Sequence, residues 1–269
     1  METYLPSLPS IANDFRGHRC IYDGYQRGWG LEHGNLRERI LQDEDYQHAI
    51  KFAEGRSLVS PDRLMNLFLL IKFYLSRLSF GHIIEYGAYR GGSAFFMAAV
   101  AAKHLPGVQV YALDTFCGMP PPDKSVDAHD AGNFSSVKID ELMKTKADYC
   151  LTNVHFVKGL FSNTATHVLA EAKRIALAHI DCDLYEGVKY SYLASKPYMV
   201  DRGYYVFDDS VSGSCLGATQ AVEEVVIQRD GLLSEQIFPH HVFRAFPSRR
   251  LFPRNLRAHL RSALRQRCG

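Results

Sequence analysis

The chain has 269 residues, of which 46% are hydrophobic and 22% are charged. These proportions are ordinary for a soluble globular protein with a sizeable core, and they exclude a disordered chain, a collagen-like chain and a coiled coil. The net charge of +2 is unevenly distributed, because Pro247 to Gly269 contains seven Arg and no acid. A general nucleic-acid-binding surface is therefore not expected for the rest of the chain.

Targeting and redox signals are weak. The chain has no run of eighteen apolar residues and its first residues lack a basic start and an apolar core, so neither a membrane span nor a secretory signal is expected. Six cysteines lie far apart with no CxxC pair, which argues against a disulfide scaffold, a local zinc-ligand motif and a redox motif. We expect reduced cysteines in a cytoplasmic protein.

The first two regions contain helix signals. Residues 1–56 are mixed and aromatic, with a short helix predicted from Glu44 to Glu54. Ser60-Pro61-Asp62 is typical of a helix start, with Ser as N-cap, Pro at the first position and an acid in the first turn. The helix that follows carries apolar residues at helical spacing, namely Leu64, Leu67, Phe68, Ile71 and Leu75.

From His82 onward, strand and helix patterns alternate. Five strands are predicted, at His82–Tyr86, Val108–Leu113, Val154–Val157, Ile175–Ile180 and Tyr204–Phe207. Helices are predicted at Ser93–Lys103, Val188–Met199 and Ala218–Gln228, and residues 242–246 are predicted to add a late edge strand. This alternation predicts an α/β fold, doubly wound around a mostly parallel sheet with right-handed crossovers.

The tail forms a last region. Leu256, Leu260 and Leu264 recur every four residues with Arg beside them, which predicts a short basic amphipathic helix. Two interpretations stay open: a solvated helix that packs its leucines on the body, or a contact with a membrane surface or an anionic partner.

A Gly-rich turn follows the first predicted strand. Glu85, Tyr86 and Gly87 lead through Gly91 to Ser93 in the pattern E-x-G-x-x-x-G, and a strand that ends in such a turn and opens a helix is typical of nucleotide sites. An ordinary turn is the alternative. Asp114 ends the second strand, where an acid accepts hydrogen bonds from ribose hydroxyls or caps the next turn. No P-loop motif is present.

Four acids end the fourth and fifth strands. Asp181, Asp183, Asp208 and Asp209 are predicted to meet in one crevice, and no Lys or Arg lies within their two motifs. Such carboxylates repel one another unless a cation lies between them, and hard oxygen donors favour Mg²⁺, or Mn²⁺ or Ca²⁺, over zinc. The alternative is that one or two of these acids cap helices.

Several nearby residues have simpler interpretations. His179, deeper in the fourth strand, is interpreted as a core histidine, and His240 with His241 as a surface pair. The stretch from Asp123 to Phe134 is either a mobile loop over the site or a solvated connection.

Six motifs occur in order along the chain: IIEYGAYRGGS, ALDTFCGMP, VHFVKGLFSNT, AHIDCDLYEG, YYVFDD and CLGATQAVEE. Together they resemble the macrocin O-methyltransferase family, which consists of class I, S-adenosylmethionine-dependent enzymes that methylate sugar hydroxyls and related diols with a divalent metal. The resemblance runs from about Ser57 to Phe246 and implies a Rossmann-like catalytic domain over 57–246. It leaves 1–56 as a lid or assembly segment and 247–269 as a basic tail.

The resemblance implies roles for individual residues. On the cofactor side these are Ser57, Glu85, Tyr86, Gly87, Ser93, Asp114, Thr115, Phe116, Gly159, Phe161 and Asp181. Within this set, Glu85 and Gly87 would hold the methionine end, and Asp114 the ribose. Asp181, Asp208 and Asp209 would bind Mg²⁺, with Asp181 also the catalytic base. The chain departs from the family pattern at Tyr89, Cys117 and Gly187.

The implied reaction is Mg²⁺-assisted transfer of a methyl group from S-adenosylmethionine to a hydroxyl of a small-molecule or glycan acceptor, in natural-product or glycan biosynthesis. We expect a cytoplasmic homo-oligomer with no nucleic-acid partner, and a peripheral membrane contact only through the tail. Two other classes stay open: a nicotinamide-dependent oxidoreductase on a Rossmann-like fold, and a non-enzymatic cofactor-binding regulator.

Overall fold

The computed structural model describes residues 36–246. Of the predicted regions, residues 1–35 and the tail from residue 247 lie outside the described residues, and so does the predicted tail helix. Within the described part, helices cover both faces of one mixed sheet, so the predicted α/β class is confirmed.

The sheet has seven strands in the order β3-β2-β1-β4-β5-β7-β6. The strands are β1 (His82–Tyr86), β2 (Val110–Asp114), β3 (Val154–Lys158), β4 (Ile175–Ile180), β5 (Met199–Phe207), β6 (Ser234–Gln236) and β7 (His241–Arg244). The first five pair in parallel, whereas β7 runs antiparallel to both β5 and β6. The chain reverses its direction of winding between β1 and β4, which is where doubly wound sheets open a ligand crevice.

Eight α-helices lie in the described part of the chain. They are α1 (Leu36–Gln42), α2 (Glu44–Ala53), α3 (Pro61–Leu69), α4 (Gly92–His104), α5 (Ile139–Asp148), α6 (Phe161–Ala172), α7 (Tyr185–Ser195) and α8 (Leu216–Ala221). Helix α3 continues as a π-helical segment (Leu70–Tyr74) and a 3₁₀ turn (Leu75–Arg77), and α8 continues as a π-helical segment (Val222–Arg229). The predicted start of α3 is confirmed, because Ser60 is the N-cap and Pro61 is the first helical residue.

Alternation along the strands divides the apolar core between the two faces. Ile83 of β1 packs into a cluster with residues of α2, α3 and α4, whereas the next residue, Ile84, packs into a cluster with residues of α6, α7 and α8. Successive side chains of a strand point to opposite faces. Strands buried on both faces show continuous apolar runs rather than alternation, as the sequence of β4 does.

Some predicted boundaries were wrong. The late strand is not at the edge, because the three-residue β6 pairs along its outer side. Met199, predicted to end a helix, begins β5 after a 3₁₀ turn at Lys196–Tyr198. Pro197 lies in that turn; a proline inside a helix lacks an N–H donor, so the helix ends before it.

The four cysteines of the described residues, namely Cys117, Cys150, Cys182 and Cys215, are free thiols. Between residues 36 and 246 no helix is long and apolar enough to cross a membrane.

Candidate functional site

A cavity of about 530 Å³ opens at the carboxyl ends of the parallel strands. The residues after β1, β2, β4 and β5 all contribute to its wall, and the stretch before α3 and the loop after β2 close its sides. The sequence-predicted residues that line it are Ser57, Gly87, Ser93, Asp114, Thr115, Phe161, Asp181, Asp208 and Asp209. The fold therefore brings most of the predicted site together in one space.

The turn after β1 is a place where two backbones meet. Gly87 has φ +93°, and a Cβ placed on it would lie 1.7 Å from the backbone oxygen of Asp181. The amide of Asp181 donates a hydrogen bond to the carbonyl of Tyr86 at 2.9 Å. The ends of β1 and β4 therefore cannot move apart without breaking this part of the sheet. Only glycine fits at this position, because any side chain would collide with the backbone of Asp181.

The start of α4 forms the adjoining wall. Gly91, the N-cap residue, has φ +73°. A Cβ on Gly92 would lie 2.4 Å from the amide nitrogen of Ser57, so the segment before α3 packs directly on the start of α4. This packing explains why Ser57 and Ser93, distant in sequence, line one cavity.

Asp114 ties two turns together at the end of β2. One carboxylate oxygen accepts a hydrogen bond from the amide of Tyr89 at 2.8 Å, and the other accepts from the amide of Phe116 at 2.7 Å. The carboxylate therefore serves the turn-capping role that the sequence left open, while it also lines the cavity. Oδ1 also lies 3.3 Å from the hydroxyl of Thr115, whereas Oδ2, among the described residues, accepts only from the amide of Tyr89 and keeps a second lone pair for a ligand hydroxyl.

Four predicted cofactor residues do not line the cavity: Glu85, Tyr86, Phe116 and Gly159. Tyr86 is fully buried, with its ring edge-on to Phe161 at 5.2 Å. Phe116 is buried against Phe156. Their predicted roles stay predictions, and in this structure these side chains support the wall rather than form it.

Glu85 lies beneath the site, fully buried with His179. The Nδ1 atom of His179 is 2.9 Å from Oε1 of Glu85, and Nε2 is 3.7 Å from Oδ1 of Asp208. Burial alone would lower the pKa of His179, but the carboxylates of Asp208 and Glu85 raise it to about 9. His179 is a buried histidine, as the sequence indicated, and it lies between the carboxylates of Glu85 and Asp208.

The predicted acidic cluster is present at the other end of the cavity. Asp181, Asp208 and Asp209 each offer a carboxylate oxygen, and these oxygens lie within 4.8 Å of one another. Burial, followed by repulsion from Asp208 and Asp209, raises the pKa of Asp181 well above its usual range. Burial and two neighbouring acids do the same to the pKa of Asp209. Two of the three carboxyls therefore lack a compensating charge.

Asp208 differs because basic groups surround it. Arg63 of α3 forms an ion pair with its Oδ2, and Nε2 of His240 lies 2.9 Å from its Oδ1. Burial alone would raise the pKa of Asp208, but His179 and His240 hold it well below its usual range. The sequence motifs contain no Lys or Arg, and the fold supplies Arg63 from 145 residues away.

His240 is fully buried, so the prediction of a surface pair was wrong. The side-chain amide of Asn66 lies 3.0 Å from its Nδ1. An amide N–H can only donate, so Nδ1 accepts and Nε2 carries the proton that is donated to Asp208. Asn66 and Arg63 of α3 contact His240 and Pro239, which precede β7, and nothing in the local sequence of His240 signals that contact.

The loop after β2 covers the acidic end. Its residues Met119 to Asp123, Asp127 and Phe134 line the cavity. Asp127 is buried, and its carboxylate accepts a hydrogen bond from the amide of Tyr185 at 3.0 Å. A Cβ on Gly217 would lie 2.0 Å from the same carboxylate oxygen. The loop is therefore docked on α7 and α8 and is more than a solvated connection.

Comparison with known proteins identifies the family to which this chain is similar. A family model described as macrocin-O-methyltransferase (TylF) matches residues 39–230. An 8-demethyl-8-(2,3-dimethoxy-alpha-L-rhamnosyl)-tetracenomycin-C 4'-O-methyltransferase of Streptomyces olivaceus is 28% identical over 174 residues, covering 61% of this chain and 66% of the relative. A demethyldecarbamoylnovobiocin O-methyltransferase of Streptomyces niveus is 24% identical over 201 residues, covering 67% and 75%.

A solved structure shares the fold. The structure of the O-methyltransferase NovP superposes with a TM-score of 0.61 at 22% identity, covering 72% of this chain and 84% of that one. This likeness supports the Rossmann-like methyltransferase architecture of the described residues.

Proposed function

The chain belongs to the macrocin-O-methyltransferase family, and from this premise we propose that it transfers the methyl group of S-adenosylmethionine to a sugar hydroxyl of a natural product, with a divalent cation on the acceptor side. One observation carries the proposal: a single cavity joins a nucleotide-type turn with Asp114 to a cluster of three carboxylates. Both curated relatives are O-methyltransferases of Streptomyces natural products, and the name of one includes a rhamnosyl group.

The cofactor half is supported by Gly87 and Asp114. Gly87 lets the backbones at the ends of β1 and β4 pack closely together and lines the cavity, and Asp114 lines the same cavity at the end of β2. An acid in that position accepts hydrogen bonds from a ribose in doubly wound sheets. S-adenosylmethionine supplies a methyl group that is electrophilic because it is bound to a sulfonium.

The donor set of the acidic half fits a hard divalent cation. Three carboxylate oxygens within 4.8 Å of one another match the oxygen ligands that Mg²⁺ takes. Asp181 and Asp209 carry the raised pKa values of carboxyls that lack a cation, while Asp208 keeps its charge beside Arg63 and His240. When bound, Mg²⁺ supplies Lewis acidity that lowers the pKa of a hydroxyl in contact with it.

The chain's own residues position the reactants and receive the proton. Asp181 is the catalytic base of this proposal, since its side chain lines the cavity and its backbone abuts Gly87 at the cofactor end. Methyl transfer needs the acceptor oxygen, the methyl carbon and the sulfur in line, a geometry that fixed binding sites supply. Asp127 and the rest of the docked loop cover the acceptor side and limit the entry of water.

The proposal predicts a strict requirement for metal. Methyl transfer from isotopically labelled S-adenosylmethionine to rhamnosylated aromatic compounds, followed by mass spectrometry, should stop in EDTA and resume with excess Mg²⁺. Full turnover in chelator would contradict the metal assignment. Binding of S-adenosylhomocysteine without turnover on any rhamnoside tested would contradict the acceptor class.

Calorimetry distinguishes a methyltransferase from the two other classes of protein that the sequence left open. S-adenosylhomocysteine should bind and NAD should not. Binding of NAD alone would favour a nicotinamide-dependent oxidoreductase, and cofactor binding without turnover on sugars of any class would favour a regulator.

A further inference from the structure

Beside the three carboxylates lies a second cluster with different donor atoms. His129 comes from the loop after β2, Asp183 follows β4, and Cys215 is the N-cap residue of α8. One ligand atom of each lies within 4.8 Å of the other two. We propose that these residues form a metal site for Zn²⁺ that adjoins the oxygen cluster, since Sγ of Cys215 also lies 3.9 Å from Oδ1 of Asp209. A metal there would join the loop to the strand ends.

The distances suit tetrahedral zinc. Nε2 of His129 is 3.8 Å from Oδ1 of Asp183, and Sγ of Cys215 is 3.4 Å from the same oxygen. Zinc bonds of about 2.0–2.1 Å to nitrogen, 2.3 Å to sulfur and 2.0–2.2 Å to oxygen place ligand atoms roughly 3.4 Å (N to O) and 3.6 Å (S to O) apart in a tetrahedron. The two separations to Asp183 differ from these values by about 0.4 Å and about 0.2 Å, and the ligand atoms of His129 and Cys215 lie within 4.8 Å of each other.

The imidazole of His129 supports the assignment independently. Its Nδ1 is buried without a hydrogen-bond partner among the described residues, and its Nε2 is too far from Asp183 for a hydrogen bond. Buried polar atoms are nearly always paired. An imidazole held beside a carboxylate and a thiol, with neither nitrogen bonded, has the geometry of a ligand.

Donor chemistry separates the two clusters. Carboxylate oxygens alone favour Mg²⁺, whereas an imidazole, a thiolate and a carboxylate together favour zinc. Coordination releases the thiol proton of Cys215 to solvent, because the thiolate is the ligand form. Zinc at low concentration should thus fill the nitrogen–sulfur site even when Mg²⁺ occupies the oxygens.

Occupancy would hold the loop closed. The three ligands lie on segments that are separate in sequence, and the loop that carries His129 also supplies Asp127 and Phe134 to the cavity wall. A metal bound to all three ties that wall to β4 and α8. We expect zinc to slow exchange of the acceptor and so to inhibit turnover.

The primary test is binding, so that it does not depend on the methyl-transfer reaction. Zn²⁺ is titrated calorimetrically into the full chain in excess Mg²⁺, and Co²⁺ is added in parallel as a spectroscopic probe. The wild type should bind one equivalent of Zn²⁺ and give a thiolate-to-cobalt absorption band. Cys215→Ser and His129→Gln should each weaken zinc binding by roughly tenfold or more and Cys215→Ser should abolish the band.

Cys150→Ser is the matched control, since Cys150 is an exposed thiol outside both clusters. It should bind zinc as the wild type does. His129→Gln keeps the test valid if loss of the buried Cys215 thiol harms folding, because His129 lies on a loop. Zinc binding that both variants retain, or a wild type that takes up no zinc in excess Mg²⁺, would overturn the site.

Tryptic cleavage after Lys124 measures the closure of the loop. Lys124 lies on the same loop with an exposed side chain. Zinc should slow cleavage there in the wild type and in Cys150→Ser, but not in His129→Gln. Equal cleavage rates with and without zinc in the wild type would contradict the closure.

Discussion

Replacing Asp181 with Asn should stabilise the metal-free protein while it removes activity. The carboxylate lies within 4.8 Å of two others, and its side chain accepts no hydrogen bond from any residue between 36 and 246. An asparagine of the same shape therefore loses no partner and relieves repulsion. Residues that are required for function often lower the free energy of unfolding in this way.

The size of the effect follows from Coulomb's law. Two unit charges 4.8 Å apart repel by about 3.5 kcal/mol at an effective dielectric constant near 20, and by about 0.9 kcal/mol in bulk water. The charge of Asp208 is offset by its basic neighbours, so the uncompensated repulsion is chiefly that between Asp181 and Asp209. We expect a gain of about 1–3 kcal/mol, or roughly 3–9 °C in Tm for a domain of this size.

The sign of the pH dependence follows from the raised pKa of Asp181. A carboxyl whose pKa is higher in the folded than in the unfolded state favours folding when protonated. That contribution is present at low pH and is lost as pH rises above about 4, the unfolded value, through the folded pKa. Asn does not titrate, so Asp181→Asn does not lose stability in this way. Its gain in free energy of unfolding over the wild type should therefore be absent near pH 4 and should grow as the pH rises toward neutrality.

Thermal unfolding in EDTA and in Mg²⁺, across pH, measures both effects. Asp201→Asn is the matched control, since Asp201 is exposed at the start of β5, and its change should stay within about 0.5 kcal/mol. Mg²⁺ should raise the Tm of the wild type and much less that of Asp181→Asn. An Asp181→Asn variant that is less stable than the wild type in EDTA at neutral pH would show that the carboxylate of Asp181 is not under net repulsion.

Three further predictions concern the cavity wall. Asp114→Ala should weaken S-adenosylhomocysteine binding by about 1–3 kcal/mol in calorimetry, the scale of a lost charged hydrogen bond; unchanged affinity would remove the ribose assignment. Gly217→Ala should displace Asp127, whose oxygen lies 2.0 Å from the added Cβ, and so raise the acceptor KM in steady-state assays without changing cofactor affinity; an unchanged KM would count against the docked loop. Arg63→Met should lower the free energy of unfolding in urea by about 2 kcal/mol, because Asp208 then lacks its guanidinium partner; no loss would show that the pair is not stabilising.

The parallel core of the fold was predictable because its signals are local. The predicted β1 and β4 agree with the structure at both ends, since each is a short run of mostly apolar residues beside a turn or a charge. Helices α1, α5 and α6 and strand β6 were missed: α5, for example, is mostly polar and buries only Leu142, and β6 has three residues. Tertiary contacts, more than local pattern, decide such elements.

The candidate site, like the fold, was predictable from the sequence only where its signals are local. Asp114, Asp181, Asp208 and Asp209 were identified because they follow strands, and strand ends meet at one edge of a parallel sheet. The ion pair between Arg63 and Asp208 joins elements that are distant in sequence, and no spacing rule reveals it. The same holds for the cluster of His129, Asp183 and Cys215.

A crystal structure of the protein with S-adenosylhomocysteine and Mn²⁺, with anomalous data collected at the manganese edge, tests cofactor and metal binding together. The ribose hydroxyls should lie on the carboxylate of Asp114, and an anomalous peak should lie at bonding distance from Asp181, Asp208 and Asp209. A nucleoside bound outside this cavity, or a manganese peak that none of the three carboxylates contacts, would contradict the proposed site.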